Sequence, residues 1–387
     1  MNKRIIFEIL KIGIPTILGI LLTNLTSLFD MIFLNSLKNK EVLGIISPYQ
    51  AFISSIGYLI GHGGGLIYKN NKSFNYGKKL IRLAVIIISF ISIIGIVYSF
   101  KLNNEFQIYY IFIILSSIFT ALIIIINNLL RFNKIVYRTL FIIFIGLLIN
   151  ILFDYLLINN MGIIGNSISY LISQFVIFML MYLLFRYKCQ NDNSYEFNYL
   201  SIIKFGLASF IYQLLTAFSI YLIIYYSKLN DSIVLFNLCN RSYMLLLGIP
   251  YGISQATMPL IGNNNNKKII INSLIIIYFL LLLEIPLFIF SDNIVYYFTD
   301  SYNSLDYILF LMAIFFASTT ILLNINLQIN KKIFAANLLA ILRSGGIFIC
   351  LLLFSKNISI SRIISDFISF GIAIFIINKS LNISNEV

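Results

Sequence analysis

Two aspartates lie inside stretches of sequence that are otherwise apolar enough to cross a membrane. Asp30 lies in the stretch Ile12–Leu34, and Asp154 lies in a later apolar stretch, about residues 139–158. A carboxylate at membrane depth costs roughly 2.5–3.5 kcal/mol on insertion scales, so ionisable residues there are rare and mark ion or substrate pathways. The two acids therefore predict an ion-coupled transport site.

Polar side chains accompany both aspartates on the same helical faces. Thr23 and Ser27 precede Asp30 by seven and three residues, and Asn150 precedes Asp154 by four. Residues three, four or seven apart share one face of an α-helix. Each aspartate thus belongs to a polar stripe rather than standing alone in its span.

The two carboxylates are also predicted at similar depth. Asp30 is 19 residues beyond Lys11 and Asp154 is 16 beyond Arg138, which is ~28 Å and ~24 Å along ideal helices. Facing each other, they would form an oxygen-rich pocket for a proton, Na⁺ or an organic cation. In the alternative interpretation, Asp30 reaches water at the outer interface and Asp154 only caps a loop.

Five further charged residues fall in or near later spans. Glu284 lies in the ninth span, where it is either an extra proton site or, as the sequence favours, a structural partner of Arg241 or Arg343. Asp366 follows Arg362 closely and is expected at the outer interface.

A glycine-rich segment in the second span predicts close helix packing. Gly57, Gly61 and Gly65 are four residues apart, a spacing that lets two helices approach closely in a membrane. His62 lies in this segment towards the predicted cytoplasmic end, so a packing or gating role is favoured over a proton relay. Pro15 in the first span predicts a bend of the kind that transporters use.

Composition places these residues in an all-α integral membrane protein. The chain has 387 residues, of which 60% are hydrophobic and 11% charged, with a mean hydropathy of +0.94. About 20 apolar residues are needed per crossing, and the short intervening loops leave no room for a soluble domain. Twelve spans are predicted, at about 10–34, 43–67, 82–100, 107–130, 139–158, 163–185, 203–227, 233–260, 269–290, 305–328, 333–355 and 363–379.

The net charge of +13 indicates topology rather than nucleic-acid binding. With the amino terminus in the cytoplasm, 19 basic residues fall on cytoplasmic segments and 6 on outer ones. This asymmetry follows the positive-inside rule and predicts both termini in the cytoplasm. The expected location is the inner (plasma) membrane.

The sequence carries no pattern of an enzyme or a cofactor site. Three scattered cysteines and one histidine are too few for a disulfide framework or a metal cluster. No nucleotide-binding loop or nucleophile triad is present, so ATP-driven transport has no support in this chain. We therefore expect no enzyme activity and no cofactor, only a coupling ion.

A weak internal repeat divides the chain into two halves. At an offset of 193 residues, Lys11–Pro15 falls on Lys204–Ala208. Six spans in each half give both halves the same orientation, as in parallel repeats. The sequence predicts two six-helix lobes, 1–190 and 191–387, joined by the polar linker Lys188–Tyr199.

These segments together resemble the multidrug and toxic compound extrusion (MATE) family over nearly the whole chain. No single motif is specific, but their order and spacing are. The segments are Gly13–Phe33, Gly57–Tyr68, Asn150–Asp154, Gly162–Gly165, Ser173-Gln174, Lys204–Gln213, Pro250–Gly252 and Met258–Gly262. The resemblance implies two six-helix lobes and alternating access driven by H⁺ or Na⁺, with export of cationic lipophilic compounds.

The resemblance also assigns residues. Asp30, Asn150 and Asp154 match the family's cation site in the amino-terminal lobe. Tyr170 stands where that site usually has a threonine, which argues against a standard Na⁺ shell. The acids that another branch uses in the carboxyl-terminal lobe have no clear match, so coupling is expected to rest on the amino-terminal lobe. The expected partners are small cationic molecules and the lipid bilayer, with no nucleic acid, and the expected state is a monomer.

Two other functions remain open from sequence. A lipid-linked oligosaccharide flippase shares this architecture, and it would need a basic central cavity, for which only Arg241 and Arg343 lie within spans. A non-transporting membrane receptor or scaffold would leave the two aspartates unexplained.

Overall fold

The computed structural model of the chain describes residues 3–34, 42–100, 104–188, 197–229, 233–261, 266–299, 304–330, 332–354 and 357–382, and these ranges are built from helices. A 3₁₀ turn, Leu282–Glu284, separates α10 from α11, and a π turn, Ile341–Gly345, separates α14 from α15. In chain order the helices are α1 Lys3–Leu34, α2 Val42–Asn71, α3 Phe74–Ser99, α4 Asn104–Phe132, α5 Val136–Met161, α6 Ile163–Lys188, α7 Tyr199–Leu229, α8 Ile233–Leu246, α9 Gly248–Thr257, α10 Asn266–Leu281, α11 Ile285–Ile289, α12 Ser291–Thr299, α13 Leu305–Ile329, α14 Ile333–Ala340, α15 Gly346–Leu353 and α16 Ile358–Asn382.

Within the described ranges, ten helical segments are long and apolar enough to cross a membrane. They are α1, α3 to α7, α10 with α11, α13, α14 with α15, and α16. The chain is therefore a multi-pass membrane protein. Two of the twelve predicted spans are not among these ten: 43–67 lies within α2, and 233–260 is divided between α8 and α9. Pro250 lies just after that division, where its missing N–H leaves the carbonyl four residues earlier without a helical partner.

The chain folds into two compact units. The N unit is Leu25–Ala217, and the C unit combines Met1–Asn24 with Phe218–Val387. The boundaries fall inside α1 and α7, so the first part of each of these helices packs with helices of the other sequence half. The predicted lobes, 1–190 and 191–387, are divided instead in the linker, of which only Lys188 and residues 197–199 lie among the described residues.

In the N unit, α7 crosses α2 with its backbone in direct contact. A Cβ atom on Gly206 would lie 2.0 Å from the carbonyl oxygen of Leu59, and one on Gly63 would lie 2.1 Å from that of Ile202. Real Cβ atoms do not approach carbonyl oxygens so closely, and backbone cannot move aside as a side chain can. Only glycine fits at these two positions.

An equivalent crossing of α1 and α9 lies in the C unit. A Cβ atom on Gly252 would lie 2.8 Å from the backbone nitrogen of Ile17. At the offset of 193 residues, Gly252 is equivalent to Leu59, and Gly13 in α1 is equivalent to Gly206 in α7. The two crossings thus repeat each other in space as their segments do in sequence. They also explain why the boundaries of the units divide α1 and α7.

We expect Gly206→Ala to destabilise the protein by about 1–3 kcal/mol, the usual cost of overpacking. The matched control is Gly371→Ala in α16, where nothing lies within 4 Å of the new Cβ atom. That control should be neutral or stabilising by ~0.5–1 kcal/mol, because alanine is the better helix former. Thermal unfolding of the two purified variants measures the difference. Equal stability would show that the α2–α7 crossing is not tightly packed.

Candidate cation-binding site

Asp154 is placed by the buried face of α5. Gly146, Asn150, Asp154 and Ile158 recur every fourth residue on that face, and all are buried. The opposite face carries exposed apolar side chains such as Leu152, which is 56% exposed. The apolar face suits lipid, so the helix turns its only carboxylate into the N unit.

A tight turn brings α6 back beside this face. Gly162 ends α5 at φ 58°, a left-handed conformation that glycine adopts without strain. A Cβ atom on Gly165 would lie 2.5 Å from the carbonyl oxygen of Leu157, so α6 starts in close contact with α5. Asn166 and Ser169 are thereby set against the polar residues of α5.

The Asp154 carboxylate interacts with three polar side chains. Nδ2 of Asn166 donates to its Oδ1 at 3.2 Å, and the side chains of Ser169 and Asp30 lie near it. Asp154 is completely buried and Asp30 is 6% exposed. Two adjacent buried carboxylates repel each other, so the pair is stabilised by a shared proton or by another cation. The site is therefore suited to hold one positive charge.

Asn150 contributes a further oxygen. Its Nδ2 donates to Ser169 Oγ at 3.0 Å, and Ser169 Oγ donates to the Asn150 carbonyl at 2.9 Å. The Asn150 Oδ1 atom is buried and has no hydrogen-bond partner in the described part of the chain. An oriented amide oxygen beside two carboxyl groups is the kind of ligand that protons and alkali cations use.

The structure places Asp30 near Asp154, with Asn150 one helical turn before Asp154 on the same buried face of α5. Their role as a cation site stays a prediction. Sequence reasoning missed Asn166 and Ser169, although both are buried and three residues apart in α6. That spacing, directly after a short turn with Gly162, was the signal available in the sequence. This spacing does not stand out as a site pattern, because serine and asparagine are common at helix starts, where they cap the helix.

The secondary candidates of α1 and α6 lie in different surroundings. Thr23 Oγ1 donates to the Gly19 carbonyl at 2.9 Å, and Ser27 is half-buried. Tyr170 packs against a buried apolar cluster formed by α2 and α4. Pro15 is buried within α1, which continues through it as a helix.

The glycines of α2 pack against α4. Cβ atoms on Gly57, Gly61 and Gly65 would lie 3.0, 2.9 and 2.8 Å from their nearest neighbours, which all belong to α4. His62, on the adjacent face, is bonded through Nδ1 to Ser209 Oγ of α7 at 2.8 Å. This segment thus holds α2 between α4 and α7.

Glu284 occupies the 3₁₀ turn between α10 and α11. Its neighbours Leu283 and Ile285 are exposed, whereas Glu284 itself is completely buried. Neither carboxylate oxygen has a hydrogen-bond partner among the described residues. Arg343, one of its two predicted partners, is instead bound to Asp366.

Asp366, expected at the outer interface, is buried within the C unit, and so is Arg362. The Asp366 carboxylate is 3.2 Å from Nε of Arg343 and 3.2 Å from Nε of Arg362. It also accepts a hydrogen bond from Tyr243 Oη at 2.8 Å. The guanidinium carbon of Arg362 lies 4.1 Å from the Tyr243 ring centroid, so the group is a cluster of net charge +1.

Several solved structures with the same fold are described as transporters. The chain matches the Vibrio cholerae MATE transporter VcmN in its bent form with a TM-score of 0.77 and 16% identity, over 99% of this chain and 98% of that one. It matches the MATE multidrug transporter DinF-BH with a TM-score of 0.76 and 20% identity, over 98% and 96%. A MOP superfamily transporter from Pyrococcus furiosus, described as having a binding pocket of reverse polarity, matches with a TM-score of 0.75 and 16% identity, over 95% and 94%.

The chain therefore has the fold of the MATE transporters along nearly its full length. No protein-family model matches the sequence, and no curated protein matches it either. At these identities the likeness establishes the fold alone. Its function has to be argued from the residues of the site.

Proposed function

We propose that the protein is a secondary active antiporter that exports cationic lipophilic compounds in exchange for H⁺ or Na⁺ by alternating access. We place it in the inner (plasma) membrane as a monomer with both termini in the cytoplasm. Its working parts would be the two six-helix lobes, 1–190 and 191–387. The observation that carries the proposal is the buried pair of carboxyl groups, Asp30 and Asp154, in a fold shared with transporters.

The chemistry of this pair supports exchange of one cation for another. Deprotonated, Asp30 and Asp154 place two negative charges in a buried site, which a cationic compound can neutralise. A proton or Na⁺ held by the pair and by Asn150 Oδ1 removes that attraction. The coupling ion and the exported cation therefore compete for the same negative charge, which is the differential interaction that any population shift requires.

Transport by the purified protein in liposomes tests the proposal. Vesicles are loaded with ethidium, a lipophilic fluorescent cation, and then placed in acidic or in Na⁺-rich medium. We expect either the inward H⁺ gradient or the inward Na⁺ gradient to accelerate ethidium release, and collapse of that gradient by an ionophore to abolish the acceleration. If the rate of ethidium release is unaffected by both gradients and equals the rate from liposomes without protein, antiport is ruled out.

The flippase is the second candidate because the Asp366 cluster contains two buried arginines for one carboxylate. Both arginines are bound within that cluster, however, and are 2% and 3% exposed, so little of either side chain is available to a diphosphate. A fluorescent lipid-linked sugar in the same liposomes separates the candidates. Its movement between leaflets without ethidium release would favour the flippase, and the absence of both would favour a receptor or scaffold.

A further inference from the structure

Arg131 is a buried cation with no acidic partner among the described residues. It lies in the last turn of α4 and is 4% exposed. One guanidinium nitrogen, Nη1, donates to Asn128 Oδ1 at 2.8 Å, whereas Nε is buried and has no hydrogen-bond partner in the described chain. Burying a charge costs several kcal/mol unless it is paired, so this arginine requires a compensating group.

The helices around Arg131 provide no carboxylate within reach in the described chain. α4 packs against α2, α3, α5 and α6, and neither α2, α3, α6 nor α7 contains an aspartate or a glutamate. The only acid of α4, Glu105, is 26 residues away, ~39 Å along the helix. α5 begins shortly after α4 ends, and Arg138 lies in its first turn. The only acid of α5, Asp154, is ~24 Å further along that helix. The local charge is therefore positive.

His62, on the adjacent face of α2, supplies a second unsatisfied atom near the α2–α4 interface. The neighbouring Gly61 lies against Asn128, the residue that Arg131 binds, and Arg131 interacts electrostatically with both His62 and Tyr58. In the tautomer in which Ser209 donates to Nδ1, the His62 Nε2–H is a donor. That nitrogen is buried with no hydrogen-bond partner among the described residues.

We propose that Arg131 and His62 bind a small monovalent anion of the chloride class where α2, α4 and α7 meet. Arg131 Nε–H and His62 Nε2–H are its donors, and the positive guanidinium supplies most of the attraction. Both side chains are 4% exposed, so the site suits a compact ion rather than a phosphate group. Because His62 also holds Ser209 of α7, the bound anion stabilises the packing of α2, α4 and α7.

Thermal unfolding of the full-length protein in detergent tests this site. At matched ionic strength, we expect Tm in sodium chloride or bromide to exceed Tm in sodium gluconate by roughly 1–2 °C once the halide is about tenfold above its Kd. Arg131→Gln should remove that difference. Arg186→Gln, which changes an exposed arginine at the end of α6, should retain it.

Anomalous diffraction from bromide-soaked crystals of the unmodified protein provides a test that does not depend on a variant folding. A bromide peak beside Arg131 Nε is the expected result. The proposal is overturned if no peak lies there, if Tm is the same in chloride and gluconate, or if Arg131→Gln keeps the full halide effect. Stabilisation by phosphate but not by halide would overturn the assignment to a compact ion.

Discussion

Asp154→Asn is expected to abolish ion-driven export in the liposome assay. Asparagine has nearly the same shape and can still bond Asn166 and Ser169, but it cannot take up the coupling proton or offer a charge to Na⁺. The loss of gradient-driven rate should be roughly 5–150-fold, the range that corresponds to coupling free energies of 1–3 kcal/mol. The measurement is the ratio of ethidium release with and without the driving gradient.

Two companion variants make this result specific. Asp30→Asn should lose the gradient dependence as well, since its carboxyl group lies near that of Asp154. Asp292→Asn changes an exposed carboxylate of α12 and should transport like the unmodified protein. If Asp154→Asn and Asp30→Asn both retained full H⁺- or Na⁺-driven release, the carboxyl pair would not be the coupling site.

Asp366→Asn is expected to have the largest effect on stability. It removes the only carboxylate of a buried cluster that contains Arg343 and Arg362, and so leaves two adjacent cations facing each other without a counter-charge. Breaking a buried ion pair by removing one partner costs about 3–5 kcal/mol. Thermal unfolding in detergent should show a lowered Tm for this variant.

A second variant shows whether the lowered Tm of Asp366→Asn comes from the unpaired arginines or from general damage to the fold. Replacing all the charges together, as Arg343→Met, Arg362→Met and Asp366→Leu, should recover much of the loss, because apolar residues of similar volume often replace a buried ion cluster at little cost. Asp292→Asn again serves as the exposed control. A single Asp366→Asn variant as stable as the unmodified protein would show that the two arginines do not depend on this carboxylate.

Much of the architecture was readable from sequence because lipid imposes a simple rule. Long apolar segments must be helices when they cross a bilayer, since every backbone polar group has to be satisfied internally. The predicted spans therefore recur as helices, and the all-α fold is confirmed. The break between α8 and α9 and the 3₁₀ turn before Pro286 were harder to place, because a hydropathy pattern reports burial in lipid and not the continuity of the helical hydrogen bonds.

The candidate site was only partly readable. Asp154 and Asn150 stood out because helical spacing puts them on one face, and that face proved to be buried. Asn166 and Ser169 did not stand out, because their contact with Asp154 depends on the turn at Gly162. The surroundings of Asp366 were not predicted either, because they also depend on residues distant in sequence. Its nearness to Arg362 in the chain suggested an interfacial pair, whereas Tyr243 and Arg343, which complete the cluster, are distant in sequence.

The sequence by itself determined that this is a helical membrane protein with acids at membrane depth and a repeat of 193 residues. These properties follow from composition and residue spacing, which can be determined from each segment of the sequence alone. Only the tertiary structure decided which polar groups meet. It set Asp30 beside Asp154, bound Asp366 between two arginines, and left Arg131 without an acid in the described chain. Such pairings depend on how helices distant in the chain pack, and no local pattern encodes that packing.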